Sequence, residues 1–557
     1  MNEAELRALI AAGETLTIEF KSDRGPLSDA DLLETVVCLA NAQGGTLLIG
    51  VEDDGTITGL HADHRTRPGI LVAFIASRTV PPLPVEATFV ETARGPVAVV
   101  MAPAARQPVA TSDGRLVIRF TDVHGRPGCR PLYPYELTGW RADRGLADLS
   151  AMPMPEATWA DLDPLEFARL RRMVEENRGD AALLELSDEA VARALGLVRS
   201  EGNVLTPTLA GLLLIGKQSA LHEHVPAHEV AFQVLRGTDV AVNEFRRWPL
   251  LRIHEWLLQS LDVRNEEQEL MMGSFRVGVP CYDRRGMREA VNNALIHRDY
   301  ARLGAIHLQL HGDFALLTNP GGFVSGVRAD NLLTATPHPR NPLLADAFKR
   351  VGLVERTGRG VSIIYYGQLS NGRPAPSYDR SSETSVAVNL DTRPADLGFV
   401  QLAVQGSRAL GRSLGVDELL TLWQVWREGA SDAVALAPII QQDAARATDT
   451  LTRLADAGLL AFKGRVYRLP SETAVKTVKA GDALGAVLEY IQTHGRITRR
   501  EVMSRWDLTA KQAEYWLRQW VQGGKLQLVG SGRSAYYTAT KVHETPKENR
   551  INSELGV

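Results

Sequence analysis

The spacing of apolar positions changes repeatedly along the chain and predicts a series of modest α/β and helical units. Thr15 to Phe20 alternates and is rich in β-formers, so a strand is expected there. Ser28 opens a helix with Asp31 as capping-box partner, and Leu32, Leu33, Val36, Val37 and Ala40 form its buried face. Gly44 and Gly45 close it, where the chain needs a residue at positive φ. Thr46 to Val51 then reads as a buried strand and Asp53-Asp54-Gly55 as a hairpin turn, with further strands at Val97 to Met101 and Leu116 to Phe120.

Asp148 to Pro155 is Pro-rich and non-periodic, which marks a boundary. Helical spacing follows from Asp163 to Gly196, a strand is expected at Val230 to Leu235, and a helix at Trp248 to Leu261 turns Leu251, Ile253, His254 and Leu257 inward. His222, His224 and His228 lack acidic partners at ligand spacing and read as surface histidines. Met287 to Tyr300 predicts a helix of different character. Met287, Ala290, Val291, Ala294 and Leu295 make one apolar side, and Glu289, Asn292, Asn293 and His297 make a polar stripe suited to a ligand.

Ala305 to His311 and Phe314 to Thr318 read as a hairpin, followed by a tight turn at Asn319-Pro320-Gly321-Gly322. Asn341-Pro342 opens another helix. Gly358 and Gly360 stand directly before an apolar helix, where backbone N–H groups can approach phosphate oxygens. Ser381 to Leu390 is a closing strand, and Asp391 to Pro394 starts a boundary. Beyond it, helices at Glu418 to Arg427, Ala435 to Gln441 and Ala444 to Ala457 precede a hairpin at Gly458 to Leu469. The plan repeats with helices at Leu484 to Thr493, Thr498 to Trp506 and Thr509 to Gln522, and a hairpin from Lys525 to Thr540.

Composition adds bounds. With 557 residues, several domains are expected, and 44% hydrophobic content lets each bury a core. A formal charge of −4 gives no whole-chain argument for nucleic acid or membrane, so such surfaces must be local. Three cysteines are too few for a disulfide framework and fit a reducing compartment. No cleavable leader or spanning run is evident, and a cytoplasmic protein without a membrane partner is expected.

Glu14-x4-Glu19-Phe20-Lys21, with Ala40-Asn41-Ala-Gln-Gly44-Gly45 through Asp53-Asp54-Gly55, resembles the Schlafen-type AlbA domain. In nuclease-active members the equivalents of Glu14, Glu19 and Asp53 bind a divalent metal, with Lys21 nearby. The resemblance therefore implies either a Mg²⁺- or Mn²⁺-dependent nuclease cluster or plain nucleic-acid binding. Lys21, Arg24, Arg65, Arg67 and Arg119 are candidate phosphate contacts.

Glu289-x3-Asn293, Asn319-Pro-Gly321-Gly322 and Gly358-Arg-Gly360, in that order, are similar to the GHKL (Bergerat) ATPase domain. The match is to its divergent, RecG-helicase-like version that accompanies AlbA-type domains in bacterial regulators. The resemblance implies ATP bound with Mg²⁺ through Asn293, Glu289 as general base if hydrolysis occurs, and Asn319, Gly321, Gly322, Gly358 and Gly360 as cofactor-binding residues. Asn319 replaces the family's adenine-reading Asp, so its amide oxygen accepts without charge assistance. The two C-terminal repeats resemble winged helices, with Lys511, Gln512, Tyr515, Arg518 and Arg533 as DNA contacts in the second.

The expected architecture is multidomain. It comprises an AlbA-type α/β domain (1–145), a helical and stranded connecting segment (146–280), a Bergerat-type α/β domain (281–395), α+β winged helices at 410–470 and 480–540, and a disordered tail (541–557). The expected function is an ATP-binding, nucleic-acid-binding regulator of transcription, homo-oligomeric, acting on DNA or RNA. The alternative is an ATP-gated, metal-dependent nuclease, for instance in defence against foreign genetic elements.

Overall fold

The computed structural model describes residues 1–557 except 123–125, 273–274, 337, 355–358, 471–486, 489, 493, 507–509, 531–534 and 540–557. The chain forms two compact units. The first holds residues 1–403, 414–423 and 434–447, and the second holds 404–413, 424–433 and 448–557. The expected tail lies outside the described residues.

The first unit opens with α1 (Glu3–Ala12), which the sequence reading did not foresee. Asn2 caps it and Glu5 returns the bond to the Asn2 backbone, a full capping box. Strands β1 (Ile18–Lys21), β2 (Gly45–Ile49), β3 (Glu86–Val90) and β4 (Val97–Ala102) form a sheet in the order β1-β2-β4-β3. β1 and β2 are parallel and the other pairs antiparallel. Their connection is α2 (Asp29–Asn41), whose N-cap is Ser28 as expected. Asp31, however, bonds Ser28 Oγ rather than its backbone N–H. Gly44 sits at φ 77°, and a Cβ there would come 2.7 Å from Ala104 N, so only glycine passes.

β5 (Val117–Thr121) and β6 (Pro127–Pro131) form a hairpin beside α2. Cys38 of α2 and Cys129 of β6 are joined by a disulfide, and Cys281 is free; that pairing was not read from the spacing. α3 (Leu137–Asp143) follows.

A five-stranded mixed sheet comes next, in the order β8-β7-β9-β10-β11. Its strands are β7 (Val230–Arg236), β8 (Asp239–Arg246), β9 (Ile306–Leu310), β10 (Phe314–Pro320) and β11 (Ser385–Asp391). Two of them, β7 and β8, come from the segment expected only to connect, and β7 runs parallel to β9. The side chains of Phe232, Leu308 and Leu317 share one face of this sheet, because their residues pair directly across it. Against that face lie α4 (Leu250–Asp262), whose Trp256 meets Phe232 edge to face, and α5 (Arg284–His297). Leu251, Ile253, His254 and Leu257 of α4 are buried as expected.

Three expectations need correcting. α5 begins and ends three residues before the expected Met287 to Tyr300, because Asp283 caps it by accepting from Gly286 N at 2.6 Å. β10 continues through Asn319 and Pro320, which pair with Val386 and Ser385, instead of turning there. His228 is fully buried, with its Nε2 on Trp248 O at 2.7 Å, so it is no surface histidine. Past the expected boundary at Asp391 to Pro394 lies an α-helix, Leu397–Leu410.

Two further helices complete the site region, α6 (Pro342–Val351) and α7 (Gly360–Ser370). The C-terminal third contains helices Val416–Glu428, Ala433–Leu436 and Ala444–Asp456 with a hairpin Ala461–Lys463/Val466–Arg468. Within the second unit lie helices Arg499–Trp506 and Ala510–Gln522 and a hairpin Leu526–Val529/Tyr536–Ala539 around Val487, Ile491, Val502, Leu517 and Trp520. Thr498 and Glu501 form the capping box of the first of these helices. Among the described residues no helix is long and apolar enough to cross a membrane.

Candidate functional site

Two polar clusters of the first unit carry the predicted chemistry. In the first, α5 and α7 pack closely because glycines line their contact. A Cβ on Gly367 would come 2.6 Å from Asp283 Cβ, and one on Gly286 would come 3.4 Å from Ile364 Cα. At the other end of the contact, a Cβ on Gly360 would lie 3.0 Å from Glu289 Oε2 and 3.6 Å from Asn293 Nδ2. The helix motif and the second glycine of Gly358-Arg359-Gly360 therefore meet in space, with the N-terminus of α7 beside the Glu289 carboxylate and the Asn293 amide. Glu289 is fully buried and Asn293 half-buried. Gly358 lies outside the described residues.

Asn319 belongs to the same region. It stands two residues beyond Leu317 on β10, so its side chain is on the sheet face that α5 covers. It is 5% exposed, and its Oδ1 has no hydrogen-bond partner. An orphaned buried acceptor of this kind costs about 1–3 kcal/mol unless a ligand donor meets it. Gly321 follows at φ 102°, where a Cβ would strike the guanidinium of Arg340 and come 2.8 Å from Asp299 Cβ.

Arg340 was not singled out from the sequence and Asn341 only as a helix start, yet they hold this site together. The last carbonyls of a helix have no partner within it. Arg340 Nη1 donates to His297 O at 2.8 Å, and Asn341 Nδ2 donates to Ile296 O at 2.7 Å and Arg298 O at 2.9 Å. Together they cap the end of α5. Arg340 also donates to Gly322 O at 2.7 Å, binding the glycine turn to that helix end. The Arg-Asn-Pro run before α6 was the available signal, since two buried polar residues directly before a helix need a reason. His297, only half-buried by exposure, is pushed down to about 4 by its desolvated surroundings, with Arg340 and His338 opposing its charge. It is neutral at physiological pH, and its backbone carbonyl accepts from Arg340.

The residues present fit a nucleotide. The orphaned Asn319 acceptor matches an adenine amino group, and the Gly360 N-terminus with Asn293 matches phosphate oxygens and their magnesium ion.

The second cluster is in the N-terminal domain. Glu14 Oε1 accepts from Phe20 N at 3.0 Å, and Glu19, 7% exposed, bonds Lys21 Nζ at 2.6 Å and Arg119 Nη2 at 2.5 Å. Arg119 is itself buried and also donates to Thr15 O and Ile18 O. It is an internal tie, not the surface phosphate contact considered from sequence. Burial raises Glu14 above its ordinary value, and the charges of Glu19 and Asp53 add to the rise. For Glu19, burial pushes upward, but the bonds and charges of Lys21 and Arg119 outweigh it and hold the carboxyl low. The arrangement does not fit a metal as it stands. Glu19 gives both oxygens to cations, Asp53 is exposed, and no group of three or more His, Cys, Asp or Glu among the described residues is placed to hold an ion.

Of the expected DNA contacts, Arg518 is exposed on the Ala510–Gln522 helix. Lys511, Gln512 and Tyr515 lie on that helix with side chains outside the described set, and Arg533 is outside it altogether.

The fold and the two clusters define a multidomain α/β chain with an acid-bearing N-terminal domain and a nucleotide-type mixed sheet. Family comparison gives the domains their names. Residues 14–124 match the family described as "Schlafen, AlbA_2". Residues 304–390 match the family described as "Putative ATP-dependent DNA helicase recG C-terminal". Residues 141–231 match a domain of unknown function. The chain thus carries a Schlafen AlbA_2 domain at its N-terminus and a RecG C-terminal-like, ATPase-like domain. The second match starts after α5, so Glu289 and Asn293 rest on the geometry above. No curated protein matches the chain. Among solved structures, the DIP2311 protein from Corynebacterium diphtheriae aligns over 96% of this chain and 98% of its own, at 22% identity and a TM-score of 0.49.

Proposed function

We propose that the protein is an ATP-binding, nucleic-acid-binding regulator, in which the nucleotide domain controls how the AlbA-type domain and the C-terminal helices hold nucleic acid. The observation that carries the reading is the buried, unpartnered Asn319 Oδ1 on the sheet face covered by the helix that brings Glu289 and Asn293 to Gly360. Asn293 would hold magnesium on the phosphates, Asn319 would accept from the adenine amino group, and Glu289 would take a proton from water if the nucleotide is cleaved. The bound magnesium would neutralise phosphate charge. In the same reading the two helix-and-hairpin groups of the C-terminal third are winged helices, with Arg518 on the DNA side, and the chain acts as a homo-oligomer.

The test is binding of a fluorescent ATP analogue with Mg²⁺. Wild type should bind, and Asn293→Ala should lose at least about tenfold, the equivalent of one lost charge-assisted contact. Equal binding by the two proteins would remove the site assignment.

A nuclease is the second reading, favoured by the acids Glu14, Glu19 and Asp53, the last two of which act on Glu14 by their charge. Incubation with single-stranded RNA, tRNA and DNA plus Mn²⁺ separates the two. Cleavage by wild type that Glu19→Ala abolishes supports the nuclease, and intact substrates from both support the regulator.

A further inference from the structure

We propose that Arg340 and Asp143 couple the nucleotide turn to the AlbA-type acid cluster, so that nucleotide binding and nucleic-acid binding sense each other. The proposal rests on the nucleotide reading of Asn319 to Gly322 and concerns what that site is connected to.

The connection is a run of polar bonds, most of them buried, joined by short stretches of α3 and β5. Arg340, 1% exposed, takes Gly322 O of the turn and His297 O of α5 with its two terminal nitrogens, and Asp143 Oδ1 with Nε at 2.5 Å. Asp143 is the last residue of α3. One turn earlier, Trp140 Nε1 donates to Asn41 O at 2.7 Å, and Arg144 Nη2 reaches the same carbonyl at 2.6 Å, so α3 caps the end of α2. The Asn41 side chain, fully buried, donates to Val109 O at 2.7 Å and Val117 O at 2.8 Å. Val117 begins β5, and two residues along the same strand face Arg119 holds Glu19. Arg340, Trp140, Asn41 and Arg119 are buried, and Asp143 and Arg144 are half-buried.

Such a run transmits a change because its groups cannot relax one at a time. A buried guanidinium with three different partners cannot give up one acceptor without re-placing the others. If a nucleotide shifts the end of β10 and the two glycines after it, Arg340 must follow or lose Gly322 O, and the Asp143 end of α3 is where that movement is handed on. A contiguous chain alone does not establish coupling, so the proposal stands on a measured linkage. Linkage is reciprocal: whatever factor the nucleotide applies to nucleic-acid affinity, nucleic acid applies to nucleotide affinity.

The experiment uses the full chain. Affinity for labelled single-stranded DNA and RNA is measured with and without a non-hydrolysable ATP analogue and Mg²⁺, alongside affinity for the analogue alone. Wild type should show a shift of at least about fivefold in nucleic-acid affinity, the low end of ordinary coupling. Asp143→Asn keeps a hydrogen-bond acceptor for Arg340 and removes only the charge, so it should fold, bind each ligand alone within about threefold of wild type, and lose the shift. Arg340→Lys keeps the charge without the fork and should also lose it. A role limited to holding the fold would weaken both affinities and leave the shift in place, which overturns the proposal. So does a wild type that binds both ligands with no mutual effect. A wild type that fails to bind the analogue at all removes the nucleotide reading itself, and the coupling with it.

Discussion

Arg119 donates to the Glu19 carboxylate at 2.5 Å in the interior of the N-terminal domain, with the arginine side chain 1% exposed and the glutamate's 10%. The same Arg119 Nη2 also donates to the backbone carbonyls of Thr15 and Ile18, and Lys21 occupies the other Glu19 oxygen. Removing one partner of such a pair leaves the other charge buried. Arg119→Ala is therefore expected to destabilise the protein by about 3–5 kcal/mol, read by urea unfolding, whereas Arg119→Met with Glu19→Gln together should cost much less.

Glu14 and Glu19 have opposite pH signatures. Glu19 is held below its ordinary 4.5, so its contribution is complete above that value and fades as pH falls through the lowered folded pKa. Glu14 is raised above 4.5, so its ionisation opposes folding once pH rises past that point. Glu14→Gln should consequently raise stability at neutral pH and leave it unchanged well below pH 4.5. Melting curves across the acid range check the sign, and a destabilised Glu14→Gln protein at neutral pH would contradict it.

Asn319→Ala separates folding from ligand binding. Its Oδ1 satisfies no protein donor, so deleting the amide should change stability by less than about 1 kcal/mol. Affinity for an ATP analogue should nevertheless fall roughly tenfold, as expected for one lost hydrogen bond to a base. An unchanged affinity, measured by titration of the fluorescent analogue, would dissociate Asn319 from the adenine.

Gly360→Ala places a methyl 3.0 Å from Glu289 Oε2 at the first residue of α7. Alanine is the better helix former by up to about 1 kcal/mol, so the helix itself should survive. The approach of α7 to Glu289 and Asn293 should not, and nucleotide affinity is expected to drop by about tenfold or more with little change in melting temperature. Paired calorimetry and binding titration test both halves.

His228 and His254 are each pushed down to about 4 from 6.5, mainly by burial. A lowered folded pKa on a histidine means the unfolded chain binds more protons between those values, so stability should fall as pH drops from 6.5 toward 4. For His228 the loss is on the order of 2–3 kcal/mol. His228→Gln, which can keep the bond to Trp248 O, should flatten that part of the profile. Denaturant midpoints across the interval measure it.

Much of this was legible from local pattern. The Ser28 cap, the buried face of α2, the helix around Glu289 and Asn293, and the hairpin strands before Asn319 follow from periodicity and capping chemistry, which act over a few residues. The order of the three nucleotide motifs was equally readable, since each is contiguous. The Asn-Pro-Gly-Gly run reads locally as a turn, whereas pairing with Val386 and Ser385, some 65 residues on, carries β10 through Asn319 and Pro320. His228 misled because its acceptor, Trp248 O, is twenty residues away.

The sequence by itself determined which residues could cap, bury or bind, since those properties depend on side-chain type and spacing. Only the tertiary structure decided who meets whom. It gave β7 and β8 of the supposed connecting segment to the nucleotide-type sheet, brought Gly360 against Glu289, and closed Arg119 over Glu19. It also set Arg340 between Asp143, His297 and Gly322, residues spread over 197 positions of chain. The physical reason is that a buried polar group must find a partner wherever the fold places one, and that requirement leaves no periodic trace in the sequence around it.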